Sequence, residues 1–166
     1  MEITILGSGT GIPSIKRAAP GILVRIGQDY LLLDSGSGTL RQLAKVNLTS
    51  HQIGWLLYTH LHPDHTVDLI TFLFNTRYHV VSKRNLAQAI IDFNNSGRDA
   101  FRSTPLCLIG PRGFKRFYKK LQGVYGRWIT ATSYPLILKE TRQDHLKFKG
   151  WSLRTAEVVH EKYSVA

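Results

Sequence analysis

The sequence is poor in cysteine, in acidic residues and in long hydrophobic runs. Cys107 is the one cysteine among 166 residues, which excludes an internal disulfide. We expect its thiol to be buried and inert, because it lies in the apolar run 106–109. No stretch approaches the roughly 20 apolar residues that would cross a membrane. The first residues follow a strand-like pattern without the basic head of a signal peptide, so we expect a cytoplasmic protein.

Acidic residues are half as numerous as basic ones. The sequence has 11 Asp and Glu residues against 22 Lys and Arg residues, so its formal net charge is +11. Such an excess favours a polyanionic partner, of which nucleic acid is the usual example. A soluble protein that is merely basic would show the same balance, and the charge alone does not decide between the two.

Alternating apolar residues and glycine-rich turns predict strands in the first third of the chain. The predicted strands are 3–6, 21–26 and 30–34, followed by a helix over 39–46. Residues 53–58 form a continuous apolar run, as expected for a strand that is buried on both faces. Further along, the pattern predicts helices over 67–78, 83–94 and 112–122, and strands over 105–109, 135–138, 145–148 and 151–159. This length suffices for one domain with its own core.

A cluster of metal-ligand residues follows the predicted buried strand directly. His60 and His62 are two residues apart in what should be extended backbone, so both side chains can point to one side. Asp64 and His65 follow at once and can approach the same region from the turn. Imidazole and carboxylate groups are good ligands for zinc, and also for manganese, iron or nickel. The cluster offers more ligands than one tetrahedral ion needs from a single loop. It therefore favours two ions, the arrangement found in many phosphodiesterases.

Several segments resemble the metallo-β-lactamase superfamily. Residues 59–65 (THLHPDH) match its signature motif. Residues 6–13 (LGSGTGIP), the nearby Arg17 and residues 31–39 (LLLDSGSGT) are similar to the opening of its ribonuclease Z-like branch, and residues 108–113 (LIGPRG) to a later segment. The resemblance implies an α/β (α+β) fold with a mixed sheet, the N-terminal part of a four-layer αββα sandwich.

The resemblance also implies roles for individual residues. Asp64 is expected to help handle the proton of the attacking water. Asp34 corresponds to a carboxylate that holds a ligand in its orientation by a hydrogen bond. The implied cofactors are two divalent ions, Zn²⁺ first and Mn²⁺ or Fe²⁺ as alternatives. The ligands implied for the first ion are His60, His62 and His160, and those for the second are Asp64 and His65.

Two ligands of the family have no counterpart in the sequence. The family places a bridging aspartate and a further histidine after its third histidine, and the residues that follow His160 contain neither. We therefore expect residues 1–166 to form a single metallo-β-lactamase-type domain that is incomplete at its C-terminus and inactive alone. Pro63 stands where transfer-RNA-processing members commonly have glycine, and the arm that grips transfer RNA is not evident.

A basic helix face offers a second functional hypothesis. The apolar side chains of the predicted helix 112–122 fall on one side, and cations fall on the other. Such a face can contact phosphates, although it is more often simply solvated. Lys16 and Arg17, in the loop after the first strand, could reach a substrate phosphate in the same way. The cations of the helix face are Arg112, Lys115, Arg116, Lys119 and Lys120.

The sequence thus predicts a metal-dependent hydrolase. The leading hypothesis is a dinuclear-zinc phosphodiesterase, an endoribonuclease resembling ribonuclease Z in transfer-RNA 3′-end processing. The first alternative is a small-molecule hydrolase that cleaves a cyclic phosphodiester, an ester or a lactone. The second is a non-catalytic nucleic-acid-binding protein. The expected partners are RNA or a small phosphodiester and no membrane, and a homodimer is an open alternative.

Overall fold

A six-stranded mixed sheet lies at the centre of the structure, a computed structural model that describes residues 1–77 and 102–166. Strands β1 to β3 pair in antiparallel fashion, and β3 to β6 pair in parallel, so the expected mixed sheet is confirmed. Gly27 has a φ of 58° in the tight turn between β2 and β3. In sheet order the strands are β1 (Glu2–Gly7), β2 (Gly21–Ile26), β3 (Asp29–Leu33), β4 (Trp55–Leu57), β5 (Leu106–Pro111) and β6 (Leu136–Thr141).

Helices cover one face of the sheet. They are α1 (Thr39–Lys45), α2 (Pro63–Thr66), α3 (Asp68–Asn75) and α4 (Phe114–Tyr125), with 3₁₀ turns at Ser50–Gln52 and Gly126–Trp128. Leu43, Phe72 and Phe114 are almost completely buried in one cluster with Leu32 and Leu108 of the sheet. Alternate residues of the central strands thus face the helices, which fixes the register of the sheet beneath the site.

A hairpin covers part of the opposite face. It consists of β7 (His145–Phe148) and β8 (Trp151–Arg154), which pair in antiparallel fashion. The ring of Trp55 lies 4.5 Å from that of Phe148 and 5.0 Å from that of Trp151, measured between centroids. The indole N–H of Trp151 donates to Asp29 Oδ2 at 2.9 Å. Aromatic edge-to-face packing and this one polar contact hold the hairpin on the sheet.

Some predicted bounds are wrong. The helix expected over 67–78 is shorter, because α3 runs only from Asp68 to Asn75. The sequence did not predict the separate helix α2 before it, which Pro63 starts, where the fixed φ and missing N–H of proline are favourable. The strand expected over 151–159 ends at Arg154, because its partner β7 has only four residues to pair with. The helix expected over 112–122 begins after Gly113 and extends to Tyr125. The helix expected over 83–94 lies outside the described residues.

The chain after β8 folds back on itself and forms the tail hairpin, residues 156–166. Ala156 and Ala166 exchange two backbone hydrogen bonds, and Val158 N–H donates to the Ser164 carbonyl. Val165 N–H donates to the Thr59 carbonyl at 2.9 Å. His160 directly follows the strand that was expected over 151–159. It lies instead near the tip of this hairpin, because that strand ends at Arg154.

Two further expectations from the sequence concern the state of Cys107 and membrane-spanning helices. Cys107 is buried, and burial raises the pKa of its thiol, as expected for an inert cysteine. No helix within residues 1–77 and 102–166 is both long and apolar enough to cross a membrane.

Candidate metal centre

The site lies at the carboxyl ends of the neighbouring parallel strands β3 and β4. The register pairs Leu33 with Leu57, so the residues that follow these two positions are brought side by side. Asp34 N–H donates to the Leu57 carbonyl at 2.7 Å, which continues the ladder by one step. The Asp34 carboxylate consequently lies beside Thr59, at the start of the histidine motif. Parallel pairing thus explains why residues 25 positions apart share one site.

Three histidines face one another at this edge. His60 and His62 come from the loop after β4, and His160 comes from the tail hairpin. Their ligand atoms all lie within 4.8 Å of one another. The centroid of the His60 ring is 4.6 Å from that of His62 and 4.8 Å from that of His160. Three imidazoles at this spacing offer the donor set of a divalent-metal site.

Asp64 and His65 lie beside this trio. Both belong to α2, whereas the sequence placed them in a turn. His65 Nδ1 lies 2.8 Å from Asp34 Oδ2, and His65 Nε2 lies 3.8 Å from Asp64 Oδ2. The centroids of the His60 and His65 rings are 4.0 Å apart. The structure therefore brings all five predicted ligands together, with Asp34 behind them.

The environment of His60 fits a bound cation. Its side chain is buried, and its Nε2 atom has no hydrogen-bond partner among the residues that the structure describes. Burial, and then the neighbouring His65 and His62, lower the pKa of His60. A buried imidazole nitrogen without a partner is costly, and a neutral ring offers a lone pair that a metal ion can use.

Glycine permits the close packing around these ligands. A Cβ atom added to Gly36 would overlap the carbonyl oxygen of Asp64. The Ser35 N–H donates to the His65 carbonyl at 2.7 Å, which holds the loop after β3 against α2. Gly11, in the turn after β1, faces the Asp64 side chain. The two glycine-rich turns of the sequence therefore lie against the metal-ligand residues.

One cavity borders the cluster at Asp64, and a second cavity adjoins the first. The first has a volume of about 600 Å³, and Pro63 and Asp64 form part of its wall. The second, of about 630 Å³, lies against α1 and has no carboxylate among the described residues that line it. The lining residues that the two share are Ser14, Arg17, Ala18 and Ser37. We call the second cavity the cationic groove, after its basic residues Lys16, Arg17, Arg41 and Lys45.

The predicted basic helix face lies elsewhere. Its four helical cations are exposed on α4, and the apolar side of that helix packs on the sheet. The guanidinium of Arg112 lies 5.1 Å from the ring centroid of Tyr163, in the tail hairpin. None of these five cations lines either of the two cavities described above.

Residues that the sequence hypotheses missed also contribute to the site. Thr59 was read only as part of the motif, yet its hydroxyl contacts both Asp34 and His60. Arg41 and Lys45 are four residues apart in a predicted helix, a spacing that places them on one face. That spacing was a usable signal, but only the packing of the loop after β1 shows that they share a groove with Lys16 and Arg17.

The sheet, its helices and the histidine cluster define a protein with a metallo-β-lactamase fold, and the relatives named ribonuclease Z support its ribonuclease Z-like branch. The metallo-β-lactamase fold protein YhfI from Bacillus subtilis matches 98% of this chain and 56% of its own, with a TM-score of 0.70 and 18% identity. Human tRNase Z, short form (ELAC1), matches 84% of this chain and 45% of its own, with a TM-score of 0.62 and 27% identity. The ribonuclease Z of Mycobacterium sp. (strain KMS) is 32% identical over 127 residues, which are 76% of this chain and 38% of that protein.

A more specific match concerns the first half of the chain. The family model described as Anti-Pycsar protein Apyc1 matches residues 1–90, more than half of the 166 residues, and the chain therefore belongs to this family. The chain spans between 24% and 45% of the length of its curated relatives named ribonuclease Z. The activity of the whole protein is accordingly a matter for proposal.

Proposed function

We propose that the chain is part of a dinuclear-zinc phosphodiesterase that cleaves RNA, of the ribonuclease Z type that processes transfer-RNA 3′ ends. The observation that carries this proposal is the convergence of five metal-ligand side chains, one of which, Asp64, lines a cavity that adjoins the cationic groove. The relatives named ribonuclease Z support the same activity. The groove adds a physical reason, because its cations can neutralise the phosphates of a strand that leads to the cluster.

The proposal divides the ligands between two ions. His60, His62 and His160 hold the first ion, and Asp64 and His65 hold the second. When bound, such ions lower the pKa of a water molecule and polarise the phosphoryl group under attack. Asp64 also lines the cavity beside the cluster, where its carboxylate can accept the proton of the attacking water.

A small cyclic phosphodiester is the second candidate substrate. The cavity beside Asp64, at about 600 Å³, is within the size range of small-molecule sites, roughly 300–1,000 Å³. Pro63, which the resemblance sets apart from transfer-RNA-processing members, lies in its wall. The family model that matches residues 1–90 is described as Anti-Pycsar protein Apyc1 and not as ribonuclease Z, so it does not itself favour transfer RNA. These observations favour a substrate that one cavity can enclose.

The test compares the full-length protein with its His62→Ala variant. Bound zinc is measured by elemental analysis, and hydrolysis is measured on bis(p-nitrophenyl) phosphate, a cyclic mononucleotide and a transfer-RNA precursor. We expect His62→Ala to lower hydrolysis by more than roughly 100-fold, because even indirect partners of a ligand are worth about 10–100-fold. His145→Ala is the matched control, since His145 is exposed on β7.

The outcomes separate the candidate functions. Cleavage of the transfer-RNA precursor supports the first candidate, and cleavage confined to the cyclic mononucleotide supports the second. RNA binding that survives chelation, with no hydrolysis by the zinc-loaded protein, would instead identify a non-catalytic nucleic-acid-binding protein. Absence of bound zinc in the wild-type protein would overturn the proposed metal site.

A further inference from the structure

A chain of short hydrogen bonds joins two of the candidate ligands through one carboxylate. His65 Nδ1 lies 2.8 Å from Asp34 Oδ2, and the Thr59 hydroxyl lies 2.9 Å from the same oxygen. On its other side, the Thr59 hydroxyl lies 2.9 Å from His60 Nδ1. The Thr59 N–H donates to Asp34 Oδ1 at 2.9 Å, which fixes the carboxylate relative to the motif. The order along the chain is therefore His65, Asp34, Thr59 and His60.

The direction of each hydrogen bond follows from the number of protons. An ionised carboxylate only accepts, so His65 Nδ1 and the Thr59 hydroxyl must both donate to Asp34. A hydroxyl has one proton, and that of Thr59 is used for this bond. Its oxygen can then only accept from His60, so the proton of the His60 ring resides on Nδ1. The opposite orientation would bring the lone pairs of the Thr59 and Asp34 oxygens together at 2.9 Å.

This proton arrangement leaves the same atom free on both rings. With protons on Nδ1, His60 and His65 each keep a lone pair on Nε2. His60 Nε2 is the buried atom that has no hydrogen-bond partner within the described ranges. His65 Nε2 is the atom directed towards Asp64. Both lone pairs are thus held in the form that a metal ion requires before any ion binds.

We propose that Thr59 is a positioning residue, through whose hydroxyl the single carboxylate of Asp34 fixes the tautomer and orientation of His60 as well as that of His65. The inference rests on the proposed metal site, because it concerns the preparation of that site. His60 is assigned to the first ion and His65 to the second. One carboxylate therefore prepares both halves of the site, directly for one and through Thr59 for the other.

The test uses isosteric replacement of the hydroxyl. Thr59→Val keeps the β-branched shape and removes the hydroxyl, whereas Thr59→Ser keeps the hydroxyl. Nitrogen-15 NMR of the imidazole rings in the metal-free protein reports which nitrogen carries the proton. We expect His60 to be protonated on Nδ1 in the wild type and in Thr59→Ser, and to populate both tautomers in Thr59→Val. A change in fold stability alone would not produce this signature.

Zinc affinity gives the second readout, measured by competition with a chromophoric chelator. We expect Thr59→Val to weaken zinc binding by roughly 10–100-fold, and Thr59→Ser to restore it to within about threefold of the wild type. Unchanged affinity and an unchanged His60 tautomer in Thr59→Val would overturn the inference. If that variant fails to fold, a wild-type His60 protonated on Nε2 would overturn it equally. Failure of the wild type to bind zinc would refute the metal site, and the tautomer measurement would still decide the role of Thr59.

Discussion

Asp34 has a backbone conformation that few residues other than glycine adopt. Its φ is 57°, in the left-handed region, which aspartate and asparagine adopt more readily than other non-glycine residues. The sharp bend at the end of β3 turns the carboxylate towards Thr59 and His65, and its two oxygens accept three hydrogen bonds there. Backbone strain at such a residue is typical of functional sites, where the surrounding contacts maintain it.

We expect Asp34→Asn to weaken zinc binding while the protein stays folded. Asparagine tolerates the left-handed conformation, so the backbone change is small. Its amide group, however, keeps one acceptor oxygen and puts an N–H donor in place of the other. It therefore cannot accept all three of the hydrogen bonds that the Asp34 carboxylate receives from His65 and Thr59. The expected loss is roughly 10–100-fold in zinc affinity, measured by chelator competition, with circular dichroism as the check of folding.

Glu140→Gln provides the matched control. Glu140 Oε1 also accepts two backbone N–H groups, those of Gly113 and Lys115, at the start of α4. The chemical change is the same, and it affects a helix terminus rather than the histidines. Equal loss of zinc affinity in both variants would mean that Asp34 acts through general stability and not through ligand orientation.

At the scale of elements, α1 and the loop after β1 together form the cationic groove. Arg41 and Lys45 are exposed on α1, and Lys16 and Arg17 are exposed on the loop. Gly7 lets the loop approach β1, because an added Cβ would overlap the Ala19 carbonyl oxygen. The groove shares lining residues with the cavity beside Asp64, so a phosphodiester strand could pass from one to the other.

We expect the double variant Arg41→Gln/Lys45→Gln to weaken binding of a short single-stranded RNA and to reduce its salt dependence. Each lost phosphate contact should lower the slope of log K against log salt by about 0.7. Fluorescence anisotropy at several salt concentrations measures this slope. Zinc content should not change, since neither residue belongs to the ligand cluster.

Lys119→Gln/Lys120→Gln is the comparison that tests the helix face proposed from the sequence. It removes the same charge from exposed positions of α4, which line neither of the two cavities. We expect a smaller change in slope than for the α1 pair. A larger change in slope for the α4 pair would indicate that RNA binds to the α4 face and not in the cationic groove.

The elements differ in how far the sequence could predict them. The motif at 59–65 could be found because its ligands are neighbours in the chain, and the apolar run 53–58 predicted a buried strand before them. His160 was assigned by resemblance. The strand expected before it was too long, because β8 ends where its partner β7 ends and residues 156–166 pair with one another instead. Thr59 contacts Asp34, and Arg41 shares a groove with Arg17, only because distant segments of the chain pack together. A local sequence pattern does not predict such packing.

At the scale of the whole molecule, the sheet has two apolar faces that are covered differently. Helices bury the face that includes Leu32 and Leu108, whereas the β7–β8 hairpin covers only part of the other. Ile3 and Ile5 of β1 remain 57% and 59% exposed. The sequence predicted the strands and the mixed sheet. It could not predict how much of each face is covered, since that depends on the assembled layers.

We expect Trp151→Ala to lower the free energy of unfolding by about 3 kcal/mol, at the lower end of the range for such changes because the side chain is only half-buried. The variant removes the packing against Trp55 and the hydrogen bond to Asp29. Urea unfolding followed by circular dichroism measures the change. Trp128→Ala is the control, since Trp128 is 45% exposed, and we expect a loss below about 1 kcal/mol. Equal losses would show that the hairpin contributes no specific stability.

The tail hairpin has a consequence for the lifetime of a bound ion. His60 and His62 follow a central strand, whereas His160 lies on an exposed turn that a few backbone hydrogen bonds and the link from Val165 to Thr59 hold in place. Segments with few buried contacts open far more often than the core does. In the proposed site, release of an ion would then begin with departure of His160, so the opening rate of the hairpin would set the rate at which the ion exchanges.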